Sequence, residues 1–160
     1  MNNHITKFVL EFDGYWNENE GGDLPAEAGI YCAFAGWHDY QHAKTYPNRL
    51  LLISDCSNVR QTIKEHAHLD DLKIFLKEDE KLIYSFSPLV FGRHQAAAAM
   101  VFAHKPIANP RFKHSFPFEP TQIHLKGRTW MMQPCFTVPD DSALVGIKKI
   151  VRGANLEAAA

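Results

Sequence analysis

Hydrophobic and polar positions alternate or cluster along the chain in ways that predict a strand-rich fold. Lys7-Phe8-Val9-Leu10-Glu11-Phe12 reads as a first strand, and the polar, glycine-containing stretch Trp16 to Asp23 as a loop. Gly29-Ile30-Tyr31-Cys32-Ala33-Phe34-Ala35 is almost wholly apolar, as a strand covered on both faces would be. Trp37 to Asn48 is polar and aromatic with Pro47 inside it, which suits a long hairpin connection. Arg49-Leu50-Leu51-Leu52-Ile53 then resumes as a buried strand, so two adjacent central strands are expected.

Asp55, Ser57 and Asn58 are all competent helix caps, and Val59, Ile63 and Ala67 recur every four residues. A helix beginning near Ser57 with one inward apolar stripe follows. The amphipathic stretch Leu69 to Leu76 leads into the charged turn Lys77-Glu78-Asp79-Glu80-Lys81 and the strand Leu82-Ile83-Tyr84-Ser85-Phe86. Arg93 to His104 is rich in alanine, the best helix former, and Lys105-Pro106 forbids its continuation. Beyond it six prolines, from Pro106 to Pro139, divide the chain into short pieces, with Thr121 to Leu125 a strand. No repeat or low-complexity tract interrupts this order, apart from an Ala-rich tail over 156–160.

At 160 residues and 46% hydrophobic content, a single compact domain over 1–155 with a flexible tail over 156–160 is expected. No apolar run approaches the roughly 18 to 20 residues of a spanning helix, and Met1-Asn2-Asn3-His4 does not open like a signal peptide. The expectation is therefore a cytoplasmic protein with no membrane association. Cys32, Cys56 and Cys135 are odd in number and far apart, against a disulfide framework or a paired-cysteine zinc site. The net charge of -1 conceals an asymmetry: from His104 to Arg152 eight basic residues face three acids, whereas residues 1–103 carry nine basic and fourteen acidic ones. The basic segment can meet phosphates or pair with the acidic part of its own domain.

Several of these pieces, taken in order, resemble the GIY-YIG nuclease family. Gly29-Ile30-Tyr31 resembles its first signature tripeptide, and Leu52-Ile53-Ser54-Asp55-Cys56-Ser57-Asn58-Val59 its second signature with the following turn and helix cap. His66 falls where many members have a helix histidine. Ala97 to Pro106, followed by Asn109, is similar to the third segment, normally a glutamate-led helix ending near a structural asparagine. The motif region spans about 29–109. The resemblance implies an α/β (α+β) domain: a small, central, mostly antiparallel sheet flanked by helices.

It also implies a chemistry that can be checked position by position, because phosphodiester hydrolysis needs an activated water, a metal-bound phosphate and a cation against the developing charge. Tyr31 matches the tyrosine that contacts or activates the water, and His66 is retained. Leu52 stands in place of the second tyrosine, and Thr62 in place of an arginine four residues before His66, so a hydroxyl and a guanidinium are missing. Ala97, twelve residues before Asn109, stands in place of the glutamate that holds magnesium, an ion that demands oxygen ligands. Gln95 and Arg60 are the nearest substitutes, but two residues along a helix turn a side chain by roughly 200°, off the original face.

The resemblance thus implies a catalytically impaired relative, a pseudonuclease that binds nucleic acid or a protein partner. Its remnant site comprises Tyr31 and His66 with Leu52, Thr62, Ala97 and Asn109. Arg60, Arg93, Lys105, Arg111 and Lys113, with Arg128, are the candidate phosphate contacts, and Trp37, Tyr40 and Tyr46 could stack on bases or pack on a protein. No metal or other cofactor is assigned; the histidine pairs His38/His42 and His66/His68 lack a third ligand. Two alternatives stand beside this reading: a divergent endonuclease using magnesium or manganese to cut DNA, and a structural or assembly subunit. Simpler roles exist for each residue: Tyr31 as a hydrogen-bonded strand tyrosine, His66 as a helix-end residue, Asn109 as a turn-forming amide.

Overall fold

The structure, a computed structural model, describes residues 4–65 and 69–139. It is a mixed α+β arrangement in which one curled, six-stranded sheet carries few helices. The strands are β1 (Thr6–Asn17), β2 (Gly29–Asp39), β3 (Lys44–Cys56), β4 (Lys81–Pro88), β5 (Thr121–Gly127) and β6 (Cys135–Val138), with a 3-10 turn over Glu18–Asp23. The helices are α1 (Val59–Lys64), α2 (Leu69–Lys73) and α3 (Arg93–His104). The sheet order is β3-β2-β4-β1-β5-β6, with β1 and β5 parallel and every other neighbouring pair antiparallel. The long β1 joins the two halves: its first residues pair with β5, its last with β4, across a bulge between Gly14 and Trp16.

The apolar run in β2 is explained by burial on both faces. Ile30, Cys32 and Phe34 pack with α3 in one core, while Tyr31, Ala33 and Ala35 join Leu51, Val59, Ile63 and Leu72 in the other. Each large aliphatic or aromatic side chain so buried contributes about 1.5–3 kcal/mol. Gly29 and Gly36 are required by close approach: a Cβ at either would lie 2.1 Å from a carbonyl oxygen, that of Ser87 and of Tyr46 respectively.

The two central strands run further than the hydrophobic pattern indicates. The expected hairpin connection over Trp37 to Asn48 is mostly strand, because Trp37, His38 and Asp39 pair with Tyr46, Thr45 and Lys44 around a short turn at 40–43. Pro47 is tolerated there because β3 is an edge strand. Likewise β1 extends through Trp16 and Asn17, which the sequence assigned to a loop, because β4 supplies a second partner. The charged turn before β4 also holds a buried group. Burial alone would raise the Glu80 carboxyl, but the Lys77 amide, the Arg49 guanidinium and the Asn48 amide hold it below the usual carboxylate range.

Asn58 caps α1 through its side chain, which accepts from the Gln61 amide at 3.1 Å. The helix was expected to reach His66; it ends at Lys64, and His66 lies outside the described residues. α3 spans the stretch expected for it and stops where Lys105 takes a left-handed backbone before Pro106. Six consecutive residues, Ala96 to Val101, are buried, so the small alanine side chains let the helix backbone sit close to the sheet and to the 105–118 segment. No helix among the described residues is long and apolar enough to cross a membrane.

Candidate functional site

The outer edge of β3 would expose unpaired backbone groups, a liability that the segment after α3 removes. The Ala108 amide donates to the Leu51 carbonyl at 2.9 Å. The Asn109 side chain then pairs both ways with Ile53: its Nδ2 donates to the carbonyl at 2.8 Å and its Oδ1 accepts from the amide at 3.0 Å. Asn109 is buried, so its amide acts as an extra strand residue, a role its sequence position did not specify.

Beyond Asn109 the chain turns away and walls a cleft of about 1270 Å³. Tyr31, Leu52, Ile53, Ser54 and Asp55 line it from the sheet, Asp71, Ile74 and Phe75 from α2 and the residues after it, and His94, Ala97, Ala98 and Val101 from α3. Arg111, Phe112, Lys113 and His114 form the remaining wall. Four of the six positions that the resemblance picks out, Tyr31, Leu52, Ala97 and Asn109, therefore line one concavity. Thr62 does not line it; its hydroxyl donates to the Asn58 carbonyl at 2.9 Å.

At these positions the cleft is poor in hydrolytic groups. Tyr31 is only 3% exposed, and burial pushes its phenol up to about 12, partly offset by the Ser54 hydroxyl and reinforced by Cys56 and Asp55. A phenol that holds its proton this firmly can donate a hydrogen bond but is a poor base at neutral pH. Ala97, 4% exposed, brings a methyl group to the floor. Neither substitute reaches that place: the Gln95 amide donates to the Thr121 hydroxyl at 2.9 Å, and Arg60 Nε donates to the Leu24 carbonyl at 2.6 Å. Among the described residues no group of three or more His, Cys, Asp or Glu side chains is placed to hold a metal ion.

The six basic candidates separate in the same way, and Arg128 lies apart from the cleft beside Glu11 and Asp13. Arg60 is tied to Leu24 beside α1. Arg93 Nε stands 3.9 Å from Asp55 Oδ2, and Lys105 Nζ bonds the Phe102 and Lys113 carbonyls while covering the Phe102 ring. Only Arg111 and Lys113 line the cleft. Arg111 is exposed, and Lys113 Nζ bonds only a neutral acceptor, the Ile107 carbonyl at 3.1 Å. Neither has a carboxylate partner among the described residues.

Sequence reasoning missed Ser54, Asp55, His94, Phe112 and His114 as cleft residues. Asp55 balances two cationic or protonatable groups, with His94 Nδ1 at 3.4 Å and Arg93 Nε at 3.9 Å. The His94 ring stands edge-on to Phe112 and Phe118, at centroid distances of 5.5 and 5.8 Å. The available signal was the run Arg111-Phe112-Lys113-His114, where a ring sits between cationic or protonatable residues, but only its lysine and arginine were noticed. Trp37, Tyr40 and Tyr46 are exposed at the far end of the β2–β3 hairpin and line no part of the cleft. No protein-family model matches the chain, and no curated protein or solved structure matches it either.

Proposed function

We propose that this chain is a nuclease-like domain that binds nucleic acid in the cleft beside β3 without cutting it by a metal-dependent route. The observation that carries the reading is the lining of the cleft: Arg111 and Lys113, without carboxylate partners among the described residues, share it with Ala97 and Leu52, where the resemblance would place oxygen-bearing side chains. Phosphate can be attracted there, while magnesium finds no carboxylate on α3. The protonated Tyr31 phenol fits a hydrogen-bond donor to phosphate better than a base toward water. Likeness to the GIY-YIG family supports the reading through the order of Gly29-Ile30-Tyr31, the β3 segment, the α3 segment and Asn109.

Purified protein incubated with plasmid, linear duplex, single-stranded DNA and RNA, with magnesium or manganese and with chelator, tests it. Retarded mobility at low salt that weakens steeply with added salt, without cleavage, is the expected result, since phosphate contacts release counterions. Chelator-sensitive cleavage abolished by Tyr31→Phe would replace the binding reading with the endonuclease one. No shift with any probe would direct attention to a protein partner.

A further inference from the structure

The cleft that attracts phosphate is not shaped for phosphate alone. Its floor is made of Leu52, Ile53, Ala97, Ala98 and Val101, all apolar, and its cations are confined to the wall formed by residues 111–114. A duplex approached along its backbone offers phosphate and sugar, while its bases face one another and are not free to cover such a floor. A single strand differs: its phosphates run along one side and its unstacked bases present apolar faces on the other. The two carboxylates that line the cleft, Asp55 and Asp71, lie on β3 and α2, and neither forms an ion pair with Arg111 or Lys113 among the described residues, so the 111–114 wall remains the phosphate track.

Phe112 stands between the two environments. It lies between Arg111 and Lys113 in sequence, lines the cleft, and adopts a left-handed backbone with φ of 66°. That conformation is uncommon for a bulky non-glycine residue, although Ala43, Asp79, Lys105 and Met131 share it. The Phe112 ring packs against the α3-side core, with His94 in a T-shaped arrangement at 5.5 Å and Phe118 tilted at 6.2 Å. The ring is thus partly buried against the core and partly exposed where it lines the cleft, between Arg111 and Lys113 in sequence.

We infer that the cleft is a single-strand site, in which Phe112 is the stacking platform for a base and Arg111 and Lys113 hold the flanking phosphates. This rests on the nucleic-acid reading above and narrows it from polyanion to unpaired strand. The volume accords with the assignment, because about 1270 Å³ exceeds the roughly 300–1,000 Å³ of a pocket for one small molecule and accommodates a short stretch of strand.

The test measures fluorescence anisotropy of labelled 20-mers, single-stranded DNA, single-stranded RNA and duplex DNA, at one low salt concentration with chelator present. One or both single strands are expected to bind more tightly than the duplex. Phe112→Leu, which keeps an apolar side chain against His94 and Phe118 but removes the flat face, is expected to weaken single-strand binding about 5- to 100-fold and to leave duplex binding unchanged. Phe112→Trp restores the ring and is expected to bind like the parent, and thermal melting of both variants separates lost stacking from lost folding. Duplex binding as tight as or tighter than that of both single strands overturns the single-strand assignment and leaves the nucleic-acid reading standing. Equal loss for all probes in a folded Phe112→Leu overturns the stacking role. Binding of no probe overturns the nucleic-acid reading itself, and with it this inference.

Discussion

Between α3 and β5 the chain first follows the outer edge of β3 and then leaves it, and the two stretches use their polar atoms differently. Residues 108 and 109 direct theirs inward, where Ala108 and Asn109 together satisfy Leu51 and Ile53. Residues 111–114 present theirs to the cleft, with Arg111 exposed and Phe112 in a left-handed backbone. The first stretch fastens a strand edge and the second is available to a ligand. A few residues of one loop thus separate stability from binding: substitutions in 111–114 should change binding alone, whereas loss of the fastening at 108–109 should lower stability and, through the wall it anchors, binding as well.

The largest effect is expected at the fastening. Asn109→Ala removes the partners of both the amide and the carbonyl of Ile53 at once, and each buried group left unsatisfied costs about 1–3 kcal/mol. A loss of about 2–4 kcal/mol in urea unfolding is expected, together with weaker nucleic-acid binding because the neighbouring wall loses its anchor. A loss below about 0.5 kcal/mol would show that the β3 edge does not depend on this side chain. Next in size is Ala97→Glu, which forces a long carboxylate into a nearly closed position. It is expected to cost about 1–3 kcal/mol by overpacking and to yield no magnesium-dependent cleavage, because Thr62 lies elsewhere and the Tyr31 phenol remains protonated. Cleavage by this variant would show that only the metal ligand is missing.

The same division decides what could be read from the sequence. The extent of α3 was legible because alanine content and Lys105-Pro106 act locally, and β2 because two covered faces leave an unbroken apolar run. The end of β1 and the hairpin arms of β2 and β3 were not, since Trp16 owes its strand conformation to Tyr84, distant in the chain, and Tyr46 owes its own to pairing with Trp37, which a polar, proline-containing pattern does not signal. Tyr31, Leu52, Ala97 and Asn109 were picked out by their order and do share one cleft. The placements of Gln95, Arg60 and Lys105 were not legible, because which carbonyl or hydroxyl a long side chain finds is settled by tertiary packing.

Two smaller effects probe whether cleft and framework are separable. Tyr31→Phe deletes a nearly buried hydroxyl beside Ser54 and is expected to cost no more than about 1.5 kcal/mol, with nucleic-acid affinity reduced no more than severalfold. At the far end of α3, His104 is a framework group whose contribution depends on pH. Its Nδ1 donates to the Met100 carbonyl and its Nε2 accepts from the Gln133 amide, each at 2.9 Å, an arrangement only the neutral ring supports. Burial lowers its pKa from 6.5, with the Met100 carbonyl opposing in part. Between the folded value and 6.5 the unfolded chain therefore binds more protons, so stability is full above about 6.5 and declines as pH falls from there. His104→Gln is expected to be less stable at pH 7.5 and to lose less on acidification to pH 5.5; an undiminished loss would place the titration elsewhere.

The smallest effect on stability, and the most informative about the comparison, is expected from Arg111→Ala. The side chain is exposed and makes no recorded bond among the described residues, so unfolding free energy should change by less than about 0.5 kcal/mol. If its guanidinium meets one phosphate, affinity for single strands should fall, and the slope of log affinity against log salt should become shallower by about 1. An unchanged slope in a protein that still binds would move the phosphate track away from the 111–114 wall. A fall in stability comparable with that of Asn109→Ala would show that the two stretches of the loop are one structural unit after all.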